Sequence, residues 1–162
     1  MAEKWVVNAS PFIAFASINH EQLLTELADE ILLPQAVVTE IEAGPVDDRA
    51  QQIVRDWPVV EAIPVPDELL AWDLGAGETA VLTYALANPE WTAIIDDGAA
   101  RKCARSFDIL IKGTLGIIIS ARNRDLIPSA AELLRQLKAV DFRLDDRLIA
   151  EVLAKSVGEE WP

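Results

Sequence analysis

The sequence predicts an α/β fold: a single domain with a parallel sheet of about five strands and helices on both faces. Three observations predict it. Short runs rich in Val and Ile recur along the chain and are apolar throughout, as expected of strands buried on both faces. Segments with apolar residues at helical spacing separate these runs, so successive strands are joined by crossovers and lie parallel. The chain has 162 residues and is 51% hydrophobic, enough for one core, with no internal repeat, low-complexity tract or long linker.

Residues 4–8, Lys-Trp-Val-Val-Asn, read as the first strand. Ser10-Pro11 starts a helix, because proline is tolerated in a first helical turn, and Phe12, Ile13 and Phe15 supply its apolar face. A short helix over 20–28 carries Leu23, Leu24 and Leu27, and 31–33 is the second strand. Pro34 opens a helix over 34–43, stopped by Gly44-Pro45, with Val37, Val38 and Ile41 inward. Residues 47–56 read as a polar helix. Residues 57–63 are a third strand at the sheet edge, broken by Pro64-Val-Pro66. A glycine turn leads into an apolar helix over 78–87, closed by Asn88-Pro89. The fourth strand, 91–95, runs into Asp96 and Asp97 and then a helix with basic residues over 98–107. Residues 109–111 form the fifth strand, and 112–116 turn into a helix over 117–123. Amphipathic helices over 128–139 and 145–155 follow, and 158–162 reads as a loose acidic tail behind a domain of residues 1–157.

The net charge of -13 argues against a general nucleic-acid coat protein, since phosphate binding draws on Lys and Arg. It leaves room for an enzyme that handles nucleic acid at one patch. Cys103 is the only cysteine, which excludes an intrachain disulfide and a cysteine-based zinc site and makes a reducing, cytoplasmic setting the default. No apolar run reaches membrane-spanning length, and the first residues lack the layout of a signal peptide. His20 is the sole histidine and has no serine partner suggested by position, so nucleophilic hydrolase chemistry is disfavoured. Gly75-Ala-Gly77 is too short for a dinucleotide fingerprint, and Gly113-Thr-Leu-Gly116 lacks the Lys-Ser/Thr of a phosphate loop; both read as tight turns. The five tryptophans read as packing residues before base-stacking platforms.

Four polar positions fall at comparable places on this scheme. Asn8 ends the first strand, Glu40 lies in the helix after the second, Glu78 opens the helix before the fourth, and Asp96 and Asp97 end the fourth. Glu40 stands roughly 60° from Val37 around its helix, at the edge of the apolar stripe. If the first and fourth strands are neighbours, these groups meet at one crevice. Several carboxylates there repel one another, and a hard cation such as Mg²⁺ or Mn²⁺ relieves that repulsion through oxygen ligands. Neighbouring strand residues point to opposite faces, so one aspartate faces the metal; the reading prefers Asp97 and leaves Asp96 behind it or capping the next helix.

The residues resemble the PIN-domain ribonucleases, most closely the branch related to VapC-type toxins with an Asn-Ala/Thr-Ser-Pro start. Four pieces carry the likeness in the family's order: Val7-Asn8-Ala9-Ser10-Pro11; Leu33-Pro34-x-x-Val37-x-x-Glu40; Gly77-Glu78; and Ile95-Asp96-Asp97-x-x-Ala100-Arg101 followed by Gly113-Thr114-Leu115-Gly116. The resemblance implies single-stranded RNA cleavage by a metal-activated water. It makes Asn8, Glu40, Glu78, Asp96 and Asp97 the metal site, with the four acids catalytic and Ser10 and Thr114 lining it. It also implies a homodimer and an antitoxin partner. One departure stands out: most PIN nucleases have Asp where this chain has Asn8, and an amide oxygen ligates without charge.

Each position also has a plainer use. Glu40 can be a solvated charge, Glu78 a response to the helix dipole, Asn8 a cap or Asx-turn, and an Asp a cap. Arg101, Lys102, Arg105 and Lys112, with Arg122 and Arg124, put six of 14 basic residues within 24 positions. They can hold RNA phosphates or simply pair with surface acids. Two other functions remain on the sequence: a PIN-like binding or interaction module that has lost turnover, and a phosphoacceptor receiver, disfavoured because the first strand ends in Asn8.

Overall fold

In a computed structural model, which describes residues 2–46 and 48–161, β1 (Lys4–Val7) is the central strand of an all-parallel five-stranded sheet. The other strands are β2 (Glu30–Pro34), β3 (Val59–Val60), β4 (Trp91–Ile94) and β5 (Ile111–Lys112), in the order β3-β2-β1-β4-β5. The first half of the chain winds outward from β1 to β3, and the second half starts again at β4 on the other side of β1. The strand order therefore reverses between β1 and β4, and α/β proteins bind ligands beyond the carboxyl ends of the strands at such a point. The adjacency on which the sequence reading depended is present: Val7 registers with Ile94, and the Asn8 amide donates to the Ile94 carbonyl at 3.0 Å.

Helices α1 (Ala9–Ser17), α2 (Gln22–Leu27), α3 (Gln35–Glu42), α4 (Arg49–Ile53), α5 (Asp67–Leu70), α6 (Ala76–Ala87), α7 (Gly98–Ser106), α8 (Thr114–Asn123), α9 (Ala130–Ala139) and α10 (Asp146–Ser156) surround the sheet. Trp5, Val6 and Val7 of β1 and Ala93 and Ile94 of β4 are buried, as strands covered on both faces must be. Phe12, Phe15, Ile117, Ile118 and Leu134 bring the helices onto them. The tryptophans in question are structural: Trp57 packs edge-on against Phe12, and Trp91 against Tyr84.

Several boundaries differ from the sequence reading. The third strand, expected over 57–63, shrinks to Val59–Val60 directly after Pro58, which has no amide hydrogen to pair. The polar helix covers Arg49–Ile53; Asp47, placed in it from sequence, lies outside the described residues. Residues 114–116 belong to α8 and form no turn, so Gly116 sits inside a helix. No helix is long and apolar enough to cross a membrane among the described residues.

Within the tail read as loose, Glu159 and Trp161 make hydrogen bonds to the rest of the chain. Both oxygens of Glu159 accept the first amides of α9, from Ala130 and Ala131 at 2.9 Å, and the Ser129 hydroxyl donates to one of them at 2.8 Å. Arg122 approaches at 3.4 Å, and the Trp161 indole donates to Asp146. Helix N-termini leave free amide hydrogens, and here a carboxylate from 30 residues downstream supplies their acceptor. Burial raises the proton affinity of Glu159, but the Ala131 and Ala130 amides, the Ser129 hydroxyl and Arg122 outweigh it and hold the carboxyl below its ordinary 4.5. A depressed carboxylate stabilises the fold above the unfolded value and loses that contribution as pH falls through the folded one. Glu159→Ala is expected to cost about 2 kcal/mol and roughly 5 °C in Tm at neutral pH. The loss should shrink in acid; thermal melts at pH 7 and pH 3 check it.

Candidate metal centre

Asn8 follows β1 directly and occupies the N-cap position of α1, yet its side chain makes no capping hydrogen bond. The residue is 2% exposed and its Oδ1 has no hydrogen-bond partner. A buried, unpaired amide oxygen costs about 1–3 kcal/mol, so this atom is held at a price that local structure does not explain. The plainer reading of Asn8 as a side-chain cap does not describe this geometry.

Gly77, in the first turn of α6, faces the same place. A β-carbon there would stand 3.0 Å from Asn8 Oδ1, 3.5 Å from Val37 Cγ2 and 3.6 Å from Glu40 Oε1. The missing side chain thus keeps open the space where the amide and carboxylate oxygens converge. Glu40 reaches it from α3 because Val37, Val38 and Ile41 bury the adjacent stripe of that helix. Desolvation, and secondly the negative charge of Glu78, raise the Glu40 carboxyl above its ordinary 4.5. Glu78 stands in the first turn of α6, with its carboxylate folded toward Gly75, where a β-carbon would lie 2.6 Å from Oε2. Asn8 and Glu40 therefore converge at Gly77, and Glu78, the next residue of α6, is close enough for its charge to act on Glu40.

The two aspartates are differently committed. Asp97 is exposed and caps α7, accepting the Ala100 amide at 2.9 Å. The sequence reading preferred Asp97 for the metal and left Asp96 behind it or as the cap; the cap falls on Asp97. Asp96 reaches across to β5 and α8, where its two oxygens accept the Thr114 amide at 2.7 Å and the Thr114 hydroxyl at 2.6 Å. Thr114, expected to line the site, is 1% exposed and spends its hydroxyl on Asp96. Ser10 is exposed and shares with Glu40, Asp141 and Phe142 a cavity of about 360 Å³. Among the described residues no three His, Cys, Asp or Glu side chains are grouped closely enough to hold an ion. The acids are gathered at one sheet edge but do not form a ready-made cage.

Of the four basic residues singled out from sequence, Arg101, Arg105 and Lys112 line one cavity with Asp96; Lys102 is exposed outside it. Sequence reasoning placed Gly77 in a tight turn before the helix; it lies instead in the first turn of α6, and the space it leaves beside Asn8 and Glu40 carries no sequence signal. Sequence reasoning also missed Asp141 and Phe142, which carry no motif.

The chain matches a family model described as PIN domain (DUF3368) over residues 4–159. No curated protein matches it. Among solved structures it resembles the crystal structure of PAE2754 from Pyrobaculum aerophilum. The two are 16% identical with a TM-score of 0.48, over 70% of this chain and 85% of that one.

Proposed function

The chain belongs to the PIN-domain family, and from that premise we propose that it is a ribonuclease that hydrolyses single-stranded RNA with Mg²⁺ or Mn²⁺. The observation that carries the reading is the unpartnered Asn8 Oδ1, buried and converging with Glu40 over the space that Gly77 leaves open. An amide oxygen and two carboxylates form a hard, oxygen-only donor set that suits either cation. Asn8, Glu40 and Glu78 would hold it, with Asp96 and Asp97 at the neighbouring strand end. A cation held there would supply the Lewis acidity that phosphodiester hydrolysis by water needs. The protein's own part is positional. Gly77 keeps the site open, the Asn8 main chain is fixed to β4, and the Asp96–Thr114 pair stiffens the edge beside it. Arg101, Lys102, Arg105 and Lys112 supply the positive charge that an otherwise acidic chain needs to hold RNA phosphates. The family resemblance further supports a toxin that is held by an antitoxin protein and acts as a homodimer.

A second reading, a PIN-like module that binds without turnover, is favoured by the uncharged Asn8 and by the capping duty of Asp97. Labelled single-stranded RNA incubated with Mn²⁺ separates the two. Cleavage that stops with a chelator and in Glu78→Gln supports the nuclease. Intact RNA at millimolar Mn²⁺, with a folded protein, leaves the module.

A further inference from the structure

The cavity at the β5 edge is lined by Arg101 and Arg105 of α7, Lys112 of β5, Asp96, Gly113 and Gly116, and has a volume of about 670 Å³. The chain carries 27 acidic and 14 basic residues. Among the described residues Lys4, Arg49, Arg122, Arg135, Lys138 and Lys155 pair with a carboxylate, and Arg55, Lys102, Arg124, Arg143 and Arg147 do not. Among the described residues, none of the three cations around this cavity has one within 4.0 Å. Asp96, the acid in the wall, has both oxygens engaged by Thr114.

The Gly113-Thr-Leu-Gly116 motif acquires a use here. A β-carbon at Gly113 would stand 2.7 Å from Arg101 Nη1 and 2.9 Å from Asp96 Oδ1; one at Gly116 would stand 3.2 Å from Lys112 Cγ. Gly113 has φ -107 and Gly116 lies inside α8, so neither is there for backbone freedom. Glycine is a poor helix residue, and both positions give space to a basic side chain instead. Arg101 is set by donating to the Ile95 carbonyl at 3.2 Å, and the Lys112 ammonium stands 5.5 Å from the Trp5 ring centroid. The Arg105 side chain makes no hydrogen bond to the described residues and is exposed. Three cations are thus placed by neutral partners or left free, which keeps their charge available to an outside anion.

We propose that this cavity seats a phosphate of the RNA strand one step along from the bond that is cut, with Arg101 and Arg105 as its ligands and Lys112 on the wall. The identity of the anion rests on the ribonuclease reading; the basic, unpaired cavity does not. Asp96 belongs to this wall and to the end of β4 beside Asn8, so the seat adjoins the acids. Exposed Leu148 of α10 completes the rim and offers an apolar surface to a sugar or base.

The test is anisotropy with a labelled single-stranded RNA in chelator, over a range of salt, beside a separate Mn²⁺ cleavage assay. Arg105→Ala is expected to weaken binding about tenfold at low salt and to lower the slope of log affinity against log salt by roughly 0.7, one phosphate contact. Arg105→Lys should restore most of both. Gly113→Ala should mimic Arg101→Ala, because the new methyl displaces the guanidinium; melting curves check that both stay folded. Unchanged affinity and slope in Arg105→Ala and Arg101→Ala overturn the seat even if the wild type cleaves RNA. Binding lost in these variants, with no cleavage by the wild type, keeps the seat and removes the nuclease. No binding by the wild type removes both.

Discussion

Glu40→Gln is expected to lose metal-dependent RNA cleavage by about two orders of magnitude, and yet to melt above the wild type in metal-free buffer at pH 7. The first effect follows from the place of Glu40 at the convergence with Asn8 Oδ1, where glutamine offers one uncharged oxygen to the cation. The second follows from the direction of its proton affinity. Desolvation and then the charge of Glu78 raise the carboxyl above 4.5. A carboxylate whose folded value is raised favours the fold below the unfolded value. That contribution disappears as pH rises through the folded value, and the ionised group opposes the fold at neutral pH. Glutamine removes this opposition, so the gap in melting temperature should close as the buffer is taken below pH 4.5. Saturating Mn²⁺ should stabilise the wild type more than the variant, by linkage. A variant that melts lower at pH 7, or whose gap persists in acid, would show that Glu40 carries no such repulsion. Retained cleavage would put the chemistry elsewhere.

Asn8→Asp is the complementary change. It places a third carboxyl group, in a site 2% exposed, beside Glu40. Without metal, the buried charge is expected to destabilise the protein by about 2–4 kcal/mol, a fall in Tm of roughly 5–10 °C. With Mn²⁺ the added charge should tighten metal binding about tenfold or more, because affinity follows the charge count of the ligands. The melting temperature should therefore depend far more steeply on Mn²⁺ in the variant than in the wild type. Calorimetric titration and melts with and without Mn²⁺ read both. Equal metal dependence in the two proteins would mean that Oδ1 of Asn8 does not face a cation.

Among the described residues the acids do not close into a cage, and the position at the end of β1 carries no charge. Both features lower the repulsion that the folded chain must tolerate.

Much of the architecture was legible because its signals are local. The apolar run before Asp96 and the helical stripe of Val37, Val38 and Ile41 follow from side-chain period alone. The order Asn8, Glu40, Glu78 could be read along the chain, and Asn8 and Glu40 meet at Gly77. Where the reading went astray, the deciding contact came from far away in sequence. Asp96 and Asp97 are indistinguishable as neighbours in a string; one caps its own helix and the other crosses 18 residues to Thr114. Gly113 and Gly116 look like turn residues until Arg101 and Lys112 are seen to need their space. Glu159 looks like a loose acid until the amides of α9 are seen to lack an acceptor. Periodicity and capping preference are written into consecutive residues, so composition and order suffice for the sheet, its helices and the acids that end beside it. A hydrogen bond between distant groups, or a void left for a distant side chain, depends on how those elements pack, and the folded chain alone assigns it.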